Sequence, residues 1–358
     1  MKRISLFLCL VLLVLASNAQ EKQKRKPIGE AFQPLELMFY NVENLFDTKD
    51  DSVTDDKEFL PTGEYKWDDE KLNKKLQNIH QVVLSLGYPE IIGVSEIENR
   101  GVLEMLISKT AMKEKGYNIV HFDSPDQRGI DVGLLFNPKR IKLLASKKIP
   151  VKLDGSGKDD RPTRDILYAK LQLITRDTLH VFVNHWPSRS GGEKESEPKR
   201  ASAAKVLKAA TDSILKVSPN SKIIAMGDFN DYPSDKSLKD VLSAELDTTK
   251  GDKALYNLMG WQMGPDKGSQ KHRENWGFLD QFVVSNALIF NTNGTFTKFN
   301  QAKVNRLGFL LEKDARNGGE IPFRTYGDKK KYIAGYSDHL PITLTLHIAV
   351  PKSPKKKK

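Results

Sequence analysis

The sequence predicts a single layered α/β domain, and three observations predict it. Short apolar runs of strand character recur over the whole length, amphipathic helix patterns fall between them, and residues 35–350 hold no internal repeat and no obvious linker. At 358 residues, 39% of them hydrophobic and with every aromatic type present, the chain can bury a sizeable core.

The ends are read separately from the fold. Lys2 and Arg3 precede an apolar run from Ile4 to Leu15, and Ser17-Asn18-Ala19 supply small residues before Gln20. That pattern is a signal peptide over 1–19, too short to span a bilayer comfortably, and implies an exported, periplasmic or extracellular protein. Residues 20–34 are polar and basic and read as a flexible lead-in, with the domain over 35–350 and a basic tail over 351–358. Cys9, inside the leader, is the only cysteine, so disulfides, thiolate catalysis and cysteine-held zinc are excluded from the mature protein. The formal charge is +11 and falls to about +9 without Lys2 and Arg3, which favours polyanionic partners.

In chain order, a strand over 35–40 runs into Asn41-Val42-Glu43-Asn44-Leu45-Phe46. Residues 47–58 gather Asp47, Asp50, Asp51, Asp55, Asp56 and Glu58 without EF-hand spacing, and read as a solvated loop. Leu72, Leu76, Ile79, Val82, Val83 and Leu86 share one face of a helix over 68–86, which Gly87 ends. A buried strand over 91–95 delivers Glu96, and a helix over 101–115 follows. Strands are expected at 117–122, 131–136, 141–149, 165–174 and 178–184, with Gly155-Ser156-Gly157 in a loop between two of them. Ala203, Val206, Leu207, Ala210, Ile214 and Leu215 mark a helix over 197–217. A strand over 222–226, a helix over 234–245 and late strands at 278–284 and 342–346 complete the domain.

The strand over 222–226 leads into Gly227-Asp228-Phe229-Asn230-Asp231. Gly227 predicts a sharp bend there, so that Asp228 and Asn230 project from the sheet edge. A carboxylate beside an amide suits orienting and deprotonating a water, although the same pair also builds ordinary turns. What distinguishes the two readings is recurrence. Asn41, Glu96, Asn184-His185-Trp186-Pro187-Ser188, Asp228, Asn230, Asp280 and Ser337-Asp338-His339 all stand beside strands, and loops at strand ends converge on one crevice.

Taken in order, Asn41, Glu96, His185, Asp228-Phe229-Asn230, Asp280 and Ser337-Asp338-His339 resemble the endonuclease/exonuclease/phosphatase superfamily over about 35–348. The resemblance implies a four-layered sandwich, two packed mixed β-sheets flanked by helices, with a divalent-metal-dependent phosphoesterase site at one end. It implies that Asp228 activates the attacking water, that Asn230 holds that water or a phosphate oxygen, and that His185 and His339 meet the phosphoryl oxygens as imidazoliums. Asp280 would fix the ring of His339, while Asp131, with Asp126 in reserve, is the candidate partner of His185. The metal, Mg²⁺ with Mn²⁺ or Ca²⁺ as alternatives, falls to Asn41, Glu96 and Asp338; hard oxygens with several waters make a normal magnesium site. Arg164, in Arg161-Pro162-Thr163-Arg164-Asp165, and Asn184 are assigned to substrate phosphate, since a guanidinium fork suits it. His80, His121, His180, His272 and His347 lie on ordinary patterns and read as structural.

Substrate class rests on the loops. Arg189, Lys194, Lys199 and Arg200 lie in 188–200, Lys267, Lys271, His272, Arg273 and Trp276 in 261–277, and Lys303, Arg306, Lys313, Arg316 and Arg324 follow. Basic residues with an interleaved aromatic suit nucleic acid. The expectation is therefore a monomeric, secreted endonuclease without a transmembrane anchor. The alternatives are a sphingomyelinase-like phospholipid phosphodiesterase, a small-molecule phosphoesterase, and a non-catalytic binding protein of the same fold. The lipid alternative calls for an exposed apolar loop near the motifs, and none stands out.

Overall fold

The computed structural model describes residues 31–153 and 162–350. The readings placed on 1–19, 20–30, Gly155-Ser156-Gly157, Arg161 and 351–358 lie outside the described residues. One six-stranded sheet contains β1 (Ala31–Leu45), β2 (Ile91–Ile97), β3 (Asn118–His121), β4 (Asp131–Phe136), β14 (Ala302–Val304) and β17 (Ile342–Val350), in the order β14-β17-β1-β2-β4-β3. A seven-stranded sheet contains β5 (Ile141–Ile149), β6 (Ile166–Leu173), β7 (Thr178–His185), β8 (Lys222–Asp228), β9 (Ala244–Glu245), β10 (Leu255–Asn257) and β13 (Asp280–Ser285), in the order β5-β6-β7-β8-β13-β10-β9. Two hairpins, β11 (Gln270–His272) with β12 (Asn275–Gly277) and β15 (Leu311–Lys313) with β16 (Glu320–Pro322), stand outside the sheets. The helices are α1 (Asp69–Ser85), α2 (Arg100–Ser108), α3 (Glu193–Val217) and the short α4 (Asn286–Phe290).

Strand alternation divides the apolar residues among three cores. Leu35, Leu37 and Phe39 of β1 join Ile224 and Met226 of β8 between the sheets. Met38 and Tyr40, pointing the other way, meet Leu72, Leu76 and Ile79 of α1 and Leu103 of α2. Ile223 and Ala225 of β8 likewise turn outward onto Ala203, Ala204 and Leu207 of α3. The result is the expected four-layered sandwich of helix, sheet, sheet and helix. No helix among the described residues is long and apolar enough to cross a membrane.

Several boundaries differ from expectation. Strand β1 begins at Ala31, because residues 31–34 pair with β17 instead of belonging to a lead-in. The second helix stops at Ser108, and Thr110 caps a separate 3₁₀ turn over Ala111–Glu114. The acidic segment is only partly solvated, since Asp56 is buried and accepts the Asp51 amide. Helix α3 starts at Glu193 and accommodates Pro198, and Arg200 helps hold its first turns by donating to the Glu193 carbonyl and Ser196 Oγ. The helix expected over 234–245 is a single wide turn over Ser237–Val241 followed by β9. There Asp235 accepts the Tyr232 amide and Ser237 Oγ donates to Asp231, local bonds that compete with helix formation.

His180 on β7 carries a pH signature. Burial, with Lys170 adding to it, lowers the ring to about 4, and Tyr168 bonds its Nδ1 at 2.8 Å. An unfolded histidine binds its proton near 6.5. Between about 4 and 6.5 the unfolded chain therefore binds more protons, and stability rises with pH across that window. His180→Gln should flatten the pH dependence of the thermal midpoint between pH 4 and 6.5; an unchanged slope would assign that region to other groups.

Candidate active site

Register brings the site together. Strands β7 and β8 are parallel, so His185 ends opposite Asp228. Strand β13 runs antiparallel to β8, and its first residue, Asp280, pairs with Asp228 from the other side. Asp228 thus sits between His185 and Asp280 at one level of the seven-stranded sheet. In the facing sheet β1 and β2 are also parallel, and their carboxyl ends supply Asn41 and Glu96. His339 enters just before β17 and bridges Gln270 of β11. Asp280 and His339 lie at the starts of strands, yet reach the same edge because those strands are antiparallel.

The backbone is strained where these side chains meet. Glu43, Asn44, Glu96 and Asn230 all have positive φ, between 51° and 61°. Non-glycine residues avoid that region unless their surroundings hold them there, and such residues gather at functional sites. The bend after β8 is made at Asn230 and not at Gly227, which remains paired with Asn184 in the sheet. Glycine is required at 227 for another reason, because a Cβ would fall 2.3 Å from the Asn184 carbonyl oxygen.

One amide ties the two sheets. Asn41 Nδ2 lies 3.2 Å from both Glu96 Oε1 and Asp228 Oδ2, while its oxygen accepts the Glu43 amide. Glu96 Oε2 accepts the Asn44 amide and Asp228 Oδ1 the Asn230 amide. His185 Nε2 stands 3.9 Å from Glu96 and 3.7 Å from Asp228; His339 Nε2 stands 3.8 Å from Asp228 and its Nδ1 2.6 Å from Asp280. Asn230 Nδ2 donates to the Trp186 carbonyl. Ser337 Oγ donates to the Asn41 carbonyl and accepts the His339 amide, joining the first and last motifs.

The two imidazoles are electrically different. Burial opposes a charge on His339, but Asp280 and Asp228 outweigh it and hold the ring well above the usual histidine range. His185 is pushed well below that range by burial, then by Arg164, Arg128 and the His339 charge. Its buried Nδ1 has no hydrogen-bond partner among the described residues, which suits a neutral tautomer with the proton on Nε2. The expectation of two imidazoliums is therefore corrected to one charged ring and one neutral ring. Burial raises Asp228 to about 7, with Asp280 and Glu96 also acting upward.

Other assignments are redirected. Asp131 is bonded by His121 at 2.9 Å and Asp126 by Arg164 at 3.1 Å, so neither holds the His185 ring. Arg164 is buried and gives three of its five N–H groups to Asp126 and to the carbonyls of His185 and Trp186, so it shapes the loop instead of presenting its fork to phosphate. Asn184 is fully buried, donating to Met226 O and accepting from Trp186 Nε1, which also removes it from substrate contact. Asp338 turns to Arg324 at 3.5 Å, and no cluster of donors within 4.8 Å joins it to Glu96 among the described residues. Several basic residues are structural too: Arg200 pairs with Asp231, Lys271 with Asp314, and Arg189 holds the Asn230 carbonyl and Asp231.

The motif order, the two facing sheets and this cluster are accompanied by a sequence-level match. A model described as Endonuclease/Exonuclease/phosphatase family matches residues 36–348. The chain belongs to the endonuclease/exonuclease/phosphatase family. Comparison with curated proteins finds no match. Among solved structures, D. rerio TDP2 complexed with single-strand DNA product is 15% identical, covers 88% of this chain and 99% of its own, and superposes with a TM-score of 0.53. The human Nocturnin catalytic domain with bound sulfate is 14% identical, with 90% and 97% covered and a TM-score of 0.53. A mannosyl-6-phosphatase from Bacteroides thetaiotaomicron is 14% identical, with 87% and 99% covered and a TM-score of 0.55. These likenesses establish the fold. The family is one of divalent-metal-dependent phosphoester hydrolases.

The donor set fits such a cation. Glu96 and Asp228 converge on a single amide nitrogen beside a neutral His185, and the one charged ring, His339, is shared between Asp228 and Asp280, so three carboxylates face one crevice with a single cation between them. A hard divalent ion relieves that imbalance, and carboxylate oxygens are the donors it prefers. Sequence reasoning missed Glu43, which accepts from Thr325 N at 2.6 Å and Arg324 Nε at 3.2 Å, and Lys75, 3.9 Å from Glu43. A signal for Lys75 was present: it is a charge inside the apolar stripe of α1.

Proposed function

We propose that this chain is an exported, divalent-metal-dependent phosphodiesterase, an endonuclease that hydrolyses nucleic-acid phosphodiester bonds with Asp228 activating water. The observation that carries the reading is the buried Asp228 carboxylate, held between Asn41 and the Asn230 amide and faced by His185 and His339. The leader pattern over 1–19 supports export. The D. rerio TDP2 neighbour, which holds a single-strand DNA product, supports the choice of nucleic acid.

When bound, a divalent cation neutralises phosphoryl oxygens; Glu96 would hold it, with Asp338 further out, and Mg²⁺ suits carboxylate oxygens, with Mn²⁺ or Ca²⁺ as alternatives. Asn41, whose nitrogen faces Glu96 and Asp228 and whose oxygen accepts the Glu43 amide, would orient the Glu96 carboxylate. The protein groups do the rest. Asp228 accepts the proton of the attacking water, raised by burial to a range where a carboxylate is an effective base. Asn230, its nitrogen committed to Trp186, leaves its oxygen to orient that water. His185 donates from Nε2 to a phosphoryl oxygen as a neutral ring. His339, its Nδ1 proton held by Asp280, presents a charged Nε2–H to the phosphoryl group and protonates the leaving oxygen.

The test is turnover by purified mature protein with Mg²⁺, Mn²⁺ or Ca²⁺ on DNA, RNA, sphingomyelin and a chromogenic phosphodiester. Nucleic-acid cleavage is expected. Turnover of only lipid or only small esters would move the substrate class, and turnover of none would leave a binding protein. Glu96→Gln should shift the metal titration of activity to higher concentration, by roughly tenfold or more; an unchanged titration removes Glu96 as a ligand.

A further inference from the structure

Two clefts of about 350 Å³ each share one wall, Phe59, and each is lined by residues that hold parts of the catalytic cluster in place. That wall is fixed, since the Phe59 ring stacks on Phe46 at 4.2 Å and on Tyr65 at 4.6 Å between centroids. With both ring faces covered it divides the clefts and offers no platform for a base. The first cleft includes Asn44, whose amide holds Glu96, and Arg324, which reaches Asp338 beside His339. The second includes Arg128 and Asp126; Asp126 fixes Arg164, which in turn holds the His185 and Trp186 carbonyls.

Each cleft thus carries an exposed arginine, Arg324 held by two carboxylates and Arg128 standing beside one. Arg324 donates Nε to Glu43 and Nη2 to Asp338, its side chain is 44% exposed, and its Nη1 has no partner among the described residues. Arg128 is 55% exposed and touches only Asp126, at 3.7 Å, among the described carboxylates. The acids that also line these clefts are partly spoken for, Asp328 by Arg316 and Glu58 by Lys330. Lys329, on the rim of the first cleft, has no ion-pair partner among the described residues. A phosphomonoester has one substituent and would fill one cleft. A chain phosphodiester has substituents on both sides, each bearing a further phosphate.

We propose that Arg324 and Arg128 are the two flanking-phosphate contacts, so that the scissile linkage is an internal phosphodiester with a charged neighbour on each side. This rests on the phosphodiesterase reading above, and it assigns cleavage within a strand to two residues outside the catalytic set. Guanidinium bonds to phosphate are charge-assisted, and losing one costs roughly tenfold or more in affinity or rate.

The experiment uses the full mature chain and a short single-stranded oligonucleotide in which the phosphate immediately 5′ or 3′ of the cut is replaced by a neutral methylphosphonate. The wild type should lose roughly tenfold or more in kcat/KM for either replacement. Arg324→Ala should lose a similar factor on the fully charged strand and become insensitive to one replacement, and Arg128→Ala to the other. In EDTA, anisotropy titrations of a labelled strand should show each variant's dependence of log K on log salt reduced by about one-phosphate's worth. Thermal midpoints near wild type show that the variants fold, and Arg324→Lys and Arg128→Lys keep the charge if an alanine variant does not. Variants that stay sensitive to both replacements, or that equal the wild type on the charged strand, overturn the proposal alone. A wild type that cuts no oligonucleotide while hydrolysing another ester overturns the nuclease reading, and this inference with it.

Discussion

Asp228→Asn should lower kcat by roughly 10²–10⁴-fold, the range over which a positioned general base contributes. The substitution is close to isosteric. With its one oxygen turned to Asn41 Nδ2 it keeps the tie between the sheets, and gives up only the bond from the Asn230 amide. What disappears is the capacity to take a proton, together with the negative charge that helps hold His339 protonated. The loss should therefore fall on kcat more than on substrate affinity, and the thermal midpoint should change little. Removing the charge works in the stabilising direction, because burial has raised the Asp228 carboxyl to about 7 and its ionised form is disfavoured in the folded state. Kinetics on a chromogenic phosphodiester, with circular dichroism of the same preparation, check both halves. Turnover within threefold of wild type would remove Asp228 as the base.

Most of the architecture was legible because strand burial and helix amphipathicity are local patterns. Leu35, Leu37 and Phe39 alternate with Met38 and Tyr40, and the structure sends the two sets to different cores. Glu96, Asp228, Asn230 and His339 were legible for a related reason, since each follows or precedes such a run. The pairing of Asp280 with His339 was also anticipated, and it appears at 2.6 Å. Pairings set by register were not legible. Asp131 lies one strand from His121 and bonds it, so the partner expected for His185 is already taken. Arg164 and Asn184 look like phosphate ligands by residue type, and only burial shows that backbone carbonyls and Trp186 occupy them. The left-handed backbone at Glu43, Asn44, Glu96 and Asn230 is equally hidden, because nothing in these residue types requires it.

Lys75→Met should destabilise the fold by about 3–5 kcal/mol, the usual cost of removing one partner from a buried ion pair. Lys75 is buried on α1, and its Nζ donates to Thr325 Oγ1 at 2.5 Å and the Tyr336 carbonyl at 2.6 Å, 3.9 Å from Glu43. Burial lowers the ammonium to about 8, so it is still charged at pH 7. Three residues further along the helix, Asn78 holds the carbonyls of Ala334 and Gly335. Together these two residues pin 325–336 to α1, and that segment leads directly into Ser337 and His339. Methionine keeps the volume but strands Glu43, whose carboxyl burial already pushes upward, with only Arg324 and the Thr325 amide to satisfy it. The same loss loosens the turn that carries Asn41 and Asn44, so activity should fall even below the melting transition. Urea unfolding of Lys75→Met, Glu43→Gln and the double variant separates the causes. If the pair is the reason, Glu43→Gln in the Lys75→Met background restores much of the lost stability, because no charge is then left buried alone. Additive losses in the double variant would instead assign the effect to the Thr325 and Tyr336 hydrogen bonds.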